Sequence, residues 1–380
     1  MTHRERVLAA LDHGQPDRMP LDLGSARFTG IMKGAYDALR QHLGFGAPGA
    51  IVSRMGQTVE VDERILRHFD IDVRGFSAGS RDRGGDQELG GERYRDEWGV
   101  IRSQPPGSAY YDIETNPLAG SITPATIASY PWPDPADPGP LRGTRERAER
   151  LQKETDYAVM FNARLSLVHT TQYLRGFEPW CIDLAENSPV FHALMEAVLE
   201  TMIESHRRVL REIGDVIDLI SFGDDLGMQD RPLCSVPTYR RMIRPYQERI
   251  VEMIRSHTNA RIVYHTCGSV YRLMGELISL GIEAVNPVQL SAKDMDPVRL
   301  KREFGSRIAF WGGMDSQRIL PSGSPAEVRT EVRRLFEILG EGGGYVLASV
   351  HNIQQDVPPE NIVAMFEKGS ECHYDAVSNA

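Results

Sequence analysis

The feature that most constrains the fold is an alternation of short apolar runs with longer amphipathic segments. Apolar runs of strand length lie at 19–23, 157–163, 216–222, 261–265, 284–288, 308–311 and 345–349. Between them, apolar residues at helical spacing predict helices at 189–213, 238–257, 269–280, 296–304 and 325–339. Gly281, Gly305 and the cluster Gly340-Glu-Gly-Gly-Gly344 are placed where helices should end. This alternation is typical of βα units around a parallel sheet.

The chain is predicted to be one α/β domain over residues 1–380. With 380 residues, of which 41% are hydrophobic, it is long enough to bury a large core. The seven candidate strands fall one short of an eight-stranded barrel. Residues 24–155 are rich in Gly, Pro and Asp, and we expect them to form helices and a small antiparallel element inserted between the first two barrel strands.

Composition excludes several classes of partner. The net charge is −10 without long acidic blocks, so neither nucleic acid nor an anionic membrane is expected as a partner. The amino terminus lacks the apolar core of a signal peptide, and no run of about 18 apolar residues follows. Four scattered cysteines do not form a disulfide framework. We therefore expect a reducing cytoplasmic location, which keeps Cys267 available as a thiolate.

A candidate metal site lies at the ends of two predicted strands. His265 and Cys267 end one apolar run, and His351 ends a later one. Because side chains alternate in direction along a strand, His265 and Cys267 should point to the same side and could share one ion. Three nitrogen or sulfur donors at strand ends favour zinc. Ordinary barrel packing of the same residues remains the alternative.

Several motifs resemble the uroporphyrinogen decarboxylase superfamily. They are Gly223-Asp-Asp-Leu-Gly227, His265-Thr-Cys-Gly268, Asn286-Pro-Val-Gln289, Phe310-Trp-Gly-Gly313 and Pro358-Pro-Glu-Asn-Ile362. Elements similar to its corrinoid-dependent zinc methyltransferase branch are Asp70-Ile-Asp-Val-Arg74, Asp96-Glu-Trp-Gly99 and Tyr130-Pro-Trp-Pro133. The resemblance covers essentially the whole chain. It implies a TIM (β/α)8 barrel with its active cleft at the carboxyl ends of the strands.

The resemblance departs from the family pattern at two places. Decarboxylases of this family carry an Arg-Gln-Ala-Gly-Arg element near the amino terminus, whose arginines pair with the carboxylates of the porphyrinogen. Residues 19–27 of this chain instead read Met-Pro-Leu-Asp-Leu-Gly-Ser-Ala-Arg. The zinc methyltransferases use a late cysteine upstream of a Pro-x-Glu-Asn-Ile-like segment, and that cysteine falls on His351. With one thiolate instead of two, zinc would keep a formal charge of +1 and favour a hard oxygen.

The resemblance implies a zinc-dependent methyltransferase that moves a methyl group from a small substrate to a corrinoid (cobalamin) protein, and the two departures favour an O-methyl substrate over decarboxylation. The chain has no Asp-x-His-x-x-Gly element for cobalamin, so we expect the corrinoid on a partner. A homodimer is left open. One alternative is a uroporphyrinogen decarboxylase-like enzyme, and another is a non-catalytic binding barrel.

Three further residues are catalytic candidates. Asp224 and Asp225 follow a strand, where one would cap a turn and the other face the cleft or orient a zinc-bound histidine. Gln289 lies in a segment that resembles the zinc-ligand region of cobalamin-independent methionine synthases, and a hydrogen-bonding role is the alternative.

Four residues are candidates for substrate binding. Asn162 and Arg164 end another strand, and Arg164 could bind a substrate carboxylate or form a barrel-rim salt bridge. Tyr110 and Trp98 lie in the expected insertion. They could line an aromatic pocket, or they could simply pack the insertion against the rest of the protein.

Overall fold

The computed structural model describes residues 1–46 and 48–374. Within them the strands are, in chain order, β1 (Ile31–Met32), β2 (Ile51–Ser53), β3 (Thr58–Val59), β4 (Val73–Ser77), β5 (Gln87–Glu88), β6 (Arg93–Arg95), β7 (Ile101–Ser103), β8 (Asp112–Thr115), β9 (Ala158–Asn162), β10 (Leu219–Gly223), β11 (Arg261–His265), β12 (Ala284–Asn286), β13 (Ala309–Met314) and β14 (Tyr345–Ser349).

The α-helices are α1 (His3–Leu11), α2 (Lys33–His42), α3 (Glu63–His68), α4 (Pro124–Ala128), α5 (Thr144–Glu154), α6 (Leu167–Arg175), α7 (Phe177–Glu186), α8 (Pro189–Ile213), α9 (Val236–Met242), α10 (Arg244–Arg255), α11 (Met274–Ser279), α12 (Pro297–Phe304), α13 (Ile319–Ser322), α14 (Pro325–Leu339) and α15 (Pro359–Ser370). Short 3-10 helices span Gly139–Leu141 and Tyr271–Leu273.

Seven parallel strands form one sheet in the order β14-β13-β12-β11-β10-β9-β4. An isolated parallel bridge pairs Leu21 with Leu347 of β14. The Leu21 carbonyl oxygen also accepts a hydrogen bond from the N–H of Asp72, just before β4. The segment around Leu21 therefore takes the eighth position and joins the two edges of the sheet. The predicted TIM (β/α)8-type barrel is confirmed, although its first strand is reduced to this bridge.

The barrel strand missing from the sequence-based prediction is β4, which reads Val-Arg-Gly-Phe-Ser. It lacks an apolar run because it carries Arg74, which is buried nonetheless. The guanidinium of Arg74 pairs with Glu63 at 2.8 Å and lies 3.6 Å from the centroid of the Tyr157 ring. Because β4 lies within residues 24–155, that stretch is not one insertion between the first two strands. It forms two excursions, one before and one after β4.

The excursions contain the small antiparallel elements that the sequence predicted. One sheet has the order β1-β3-β2 and the other β5-β6-β7-β8. The helix predicted over 238–257 is divided into α9 and α10 at Ile243, where Pro245 lies in the first turn of α10. No helix in residues 1–46 or 48–374 combines the length and apolar character needed to cross a membrane.

The interior of the barrel is filled by alternate residues of the strands. Each points inward from its strand, and together they are Val73, Met160, Leu219, Val263, Ala284, Ala309, Trp311, Val346 and Ala348. Because side chains alternate along a strand, residues two positions further toward the carboxyl end also point inward. Asn162, His265 and Asn286 are such residues. The strand pattern thus places polar side chains in the top layer of the barrel.

The backbone of Gly75 packs closely against Ser25, and this contact can be used to test the barrel architecture. A Cβ atom at Gly75 of β4 would lie 1.7 Å from the carbonyl oxygen of Ser25. Gly75→Ala should therefore lower the stability by at least about 1–3 kcal/mol, the usual cost of overpacking. Gly275→Ala is the matched control because a Cβ atom there meets nothing within 4 Å. Scanning calorimetry should give a lower Tm for Gly75→Ala alone. Equal Tm values would contradict the close approach.

Candidate metal centre and its cleft

Three neighbouring barrel strands end in register at the carboxyl edge of the sheet. Gly223 of β10 lies opposite His265 of β11, which lies opposite Asn286 of β12. A Cβ atom on Gly223 would lie 2.1 Å from the His265 carbonyl oxygen, so only glycine permits this approach. The residues that follow these strand ends, including Asp225 and Cys267, therefore converge above the barrel interior.

Asp225, His265 and Cys267 form a cluster of metal-binding atoms. One potential ligand atom from each lies within 4.8 Å of the other two. The Nε2 atom of His265 is 3.5 Å from Sγ of Cys267 and 3.6 Å from Oδ1 of Asp225. The structure thus brings together the two donors of the His-x-Cys motif, as their spacing predicts, and adds a carboxylate.

Asn286 orients the imidazole of His265. The Asn286 side-chain N–H donates to the carbonyl oxygen of Trp311 at 3.1 Å, which leaves Oδ1 facing His265. His265 Nδ1 lies 2.7 Å from this oxygen and must donate to it. The proton is therefore on Nδ1, and the lone pair of Nε2 faces Cys267 and Asp225. This arrangement is usual for a histidine that binds a metal.

Asp225 is fixed by contacts on both carboxylate oxygens. Oδ1 accepts a hydrogen bond from the Cys267 N–H at 2.7 Å, and Oδ2 lies 3.5 Å from Nε2 of His169. No Lys or Arg within residues 1–46 and 48–374 pairs with Asp225; its ion-pair contacts are with His169 and His265. Burial opposes ionisation, but the hydrogen-bonding contact with His169 outweighs it and lowers the pKa of Asp225.

The protonation states suit a cation. Burial lowers the pKa of His265, so its imidazole is neutral at pH 7. Burial and the Asp225 carboxylate raise the pKa of the Cys267 thiol well above its usual value. A thiol held beside a carboxylate that has no Lys or Arg partner would be stabilised as thiolate by a metal ion, with release of the proton. The nitrogen, sulfur and oxygen donors match those that zinc binds.

His351 borders this cluster but is not part of it. Its ring centroid lies 5.9 Å from that of His265, and it lines the same cleft. Its backbone is left-handed, with a φ of 63°, so the alternation of β14 does not continue through it. Burial lowers the pKa of His351 to about 4, and the imidazole is neutral at pH 7. The structure therefore places Asp225 where the sequence predicted His351 as the third donor.

Asp224 and Gln289 have supporting positions. Asp224 is buried, and its Oδ1 accepts a hydrogen bond from the His169 N–H at 3.0 Å, so it caps α6. Burial raises the pKa of Asp224. Oε1 of Gln289 accepts from the Gly268 N–H at 2.8 Å, which secures the loop after Cys267. Of the two alternatives for Gln289, its position matches hydrogen bonding.

A cleft of about 480 Å³ opens above the cluster and is large enough for a small substrate. Phe28 stacks on His265 with ring centroids 4.3 Å apart and covers one face of the imidazole. Trp98 and Tyr110 line the cleft, as the sequence suggested. The hydroxyl group of Tyr110 donates to Gln354, which holds it against the segment after β14.

Among the predicted substrate-binding residues, Asn162 is fully occupied by the protein. Its side-chain N–H groups donate to the carbonyl oxygens of Ser25 and Phe76, at 2.8 and 3.3 Å. Its Oδ1 accepts from the Arg27 N–H and the Ser221 hydroxyl group, at 3.2 and 2.8 Å. Asn162 therefore shapes the wall of the cleft and has no group left for a ligand.

Arg164 is more available than Asn162. About half of its side chain is exposed, at 53%, and its nearest charged partner is Glu97 at 3.8 Å. This long contact is the rim salt bridge that was the alternative to substrate binding, and it leaves the guanidinium N–H groups free of close acceptors.

Three residues of the site were not found from the sequence: His169, Asn286 as a partner of His265, and Arg27. His169 lies in a helix, where a single histidine carries no periodic signal. Asn286 lies two residues after the inward-facing Ala284, so strand alternation could have indicated that its polar side chain lies at the top of the barrel. Arg27 lies in a loop, and no local pattern distinguishes it.

The chain belongs to the uroporphyrinogen decarboxylase family. The family model described as "Uroporphyrinogen decarboxylase (URO-D)" matches residues 115–371. Uroporphyrinogen decarboxylase of Erwinia tasmaniensis is 40% identical over 67 residues, which are 18% of each chain. That of Shewanella loihica is 28% identical over 137 residues, 35% of this chain and 36% of the relative. The chain thus matches well under half the length of these relatives.

A methyltransferase from Methanosarcina mazei has a similar structure over almost its whole length. The TM-score is 0.67 with 16% sequence identity, and the match covers 98% of this chain and 99% of that one. At this identity the likeness establishes a shared fold, and the chemistry has to be argued from the site.

The cluster predicts which residues control metal content. Cys267→Ala and Asp225→Ala should each lower zinc affinity by more than about 10–100-fold. Loss of a residue that only hydrogen-bonds to a metal ligand has an effect in that range, and these two residues would be ligands themselves. His351→Ala should lower it less. Cys181→Ala is the matched control because Cys181 is a free, half-buried cysteine outside the cluster. Zinc per chain would be measured after competition with a chelator, with circular dichroism to confirm folding. Zinc retained by Cys267→Ala, or lost from His351→Ala but not from Asp225→Ala, would contradict this donor set.

Proposed function

We propose that the protein is a zinc-dependent methyltransferase that moves a methyl group from a small, preferably O-methyl, substrate to a corrinoid carried by a separate protein in the cytoplasm. The observation that carries the proposal is the cluster of Asp225, His265 and Cys267 at the base of an open cleft. The methyltransferase of similar fold and the sequence motifs support it.

The preference for oxygen rests on the donor set. With His265, Cys267 and His351, zinc would have kept a formal charge of +1. With Asp225 in place of His351, the thiolate and the carboxylate together balance Zn²⁺. Compared with the two-cysteine pattern of the zinc methyltransferases, one thiolate is replaced by a carboxylate, whose oxygen is a harder donor. Hard donors favour a hard substrate atom, so the preference for an ether over a thioether remains.

The residues of the chain have separate roles in this chemistry. Asp225, His265 and Cys267 would hold the ion, and Asn286 keeps Nε2 of His265 unprotonated for it. Bound zinc would act as a Lewis acid toward the ether oxygen of the substrate. Phe28 covers one face of His265 and limits the access of water there. The methyl group leaves without the C–O electron pair, so the oxygen keeps that pair and takes up a proton.

Decarboxylation of uroporphyrinogen is the second candidate, favoured by the family match. The cleft offers few charges to a porphyrinogen with many carboxylates. Arg54 and Arg102 line the cleft but pair with Glu88 and Asp96. Arg27 and Arg164 are the arginines that remain, and carboxylates left without partners in a cleft are costly.

The proposal predicts methyl transfer to free cob(I)alamin by the zinc-loaded protein, fastest from O-methyl compounds in a panel with S-methyl and N-methyl compounds. His351→Cys should still bind zinc, but it should slow ether demethylation by about tenfold, equivalent to about 1.4 kcal/mol in the barrier. The physical reason is that a second thiolate beside the cluster makes the ion a weaker acceptor for oxygen.

Two results would contradict the proposal. A wild type that prefers S-methyl donors, or a cysteine variant that demethylates ethers faster, would overturn the argument from donor hardness. Conversion of uroporphyrinogen to coproporphyrinogen under anaerobic conditions, without methyl transfer from any donor, would establish the decarboxylase instead.

A further inference from the structure

Arg27 presents a guanidinium to the cleft without a partner. Its backbone N–H donates to Asn162 Oδ1 at 3.2 Å, which anchors the loop that carries it. Its side chain makes no hydrogen bond and no ion pair with any residue in the part of the chain that the structure describes. The side chain is exposed to the cleft, and its guanidinium is charged at pH 7.

The other charges of the cleft do not neutralise Arg27. Arg54 and Arg102 are each paired with a carboxylate of the surrounding sheet. Glu97 is held by Arg81 at 2.6 Å. Burial and the neighbouring Asp96 and Glu97 carboxylates raise the pKa of Asp86, against the charges of Arg164 and Arg54, so its carboxyl group is a weak counter-charge. A guanidinium that is exposed to the cleft and has no partner has all its N–H donors available to an anionic ligand.

The geometry disfavours a cationic ligand. Quaternary ammonium groups are recognised by open aromatic faces. Here the Arg54 guanidinium lies over the Tyr94 ring at 4.1 Å, and that of Arg102 lies over the Tyr173 ring at 4.7 Å. These two aromatic faces of the cleft already hold cations, so an anion fits better.

We propose that Arg27, with Arg164 as a second donor, forms a carboxylate subsite, and that the methyl donor is a methyl ether bearing one carboxylate. The proposal rests on the proposed function and specifies its substrate class. A guanidinium binds a carboxylate with two parallel N–H···O bonds and so fixes the orientation of the ligand. One free and one loosely held arginine suit a single carboxylate better than a polyanion. The carboxylate would anchor the donor while its ether oxygen reaches the metal cluster.

The test compares two probes of nearly the same shape, 4-methoxybenzoate and the neutral 4-methoxybenzamide. Calorimetry on the zinc-loaded protein, without corrinoid, should show tighter binding of the benzoate. Arg27→Gln should weaken benzoate binding by at least about tenfold, as expected for loss of a charge-assisted pair, and change benzamide binding by less than about twofold. Arg27→Lys should restore part of the affinity, because lysine supplies the positive charge but not the two parallel N–H donors of a guanidinium.

Arg211→Gln is the matched control. Arg211 is an exposed arginine of α8, outside the cleft, and its loss removes the same charge. It should leave the binding of both probes unchanged. The Arg27 side chain bonds to no described residue, so Arg27→Gln should fold, which circular dichroism would check. Equal affinities for benzoate and benzamide in the wild type, or an Arg27→Gln variant that binds both probes as the wild type does, would overturn the subsite.

The outcomes separate this inference from the proposed function. Methyl transfer from neutral ethers, with no dependence on Arg27, would leave the function standing and refute the subsite. Benzoate binding that depends on Arg27, with no methyl transfer from any donor, would leave the subsite standing and refute the function.

Discussion

The site depends on the in-register ends of β10, β11 and β12. This register puts Gly223, His265 and Asn286 side by side, and the absence of a side chain on Gly223 lets the strands meet closely. The strand alternation then points His265 and Asn286 into the top of the barrel. Their hydrogen bond at 2.7 Å sets the imidazole tautomer. A shift of one residue in any of these strands would turn the side chains outward and remove the site.

Charge explains why the cluster suits a metal ion. Asp225 is ionised beside two imidazoles and a thiol and pairs with no Lys or Arg in residues 1–46 and 48–374. By contrast, Asp72, a buried carboxylate at the base of the barrel, contacts Arg6 and Arg18 at 2.7 and 2.9 Å. Arg27 lines the same cleft as Asp225, and its side chain has no ion pair among the described residues.

Much of the fold and two of the three residues of the cluster could be predicted from the sequence because they depend on local periodicity. The two-residue spacing of His265 and Cys267 at the end of β11 is enough to bring them to one side. Strand β4 was missed because Arg74 is buried through an ion pair with Glu63, a contact that no periodic pattern reveals. His351 lies beside the cluster rather than in it because its left-handed backbone ends the alternation after β14. Arg27 was missed because its significance lies in the absence of a partner, which is a property of the folded cleft.

The proposed metal site consists of one imidazole, one thiolate and one carboxylate, and X-ray absorption at the zinc edge of the zinc-loaded protein would identify these ligands. We expect one sulfur neighbour at about 2.3 Å, nitrogen and oxygen neighbours at about 2.0–2.2 Å, and the outer-shell signal of a single imidazole. In Asp225→Ala the sulfur and imidazole signals per bound zinc should persist while an oxygen neighbour changes. Two imidazoles would assign the third position to His351, and a spectrum without sulfur would refute the site.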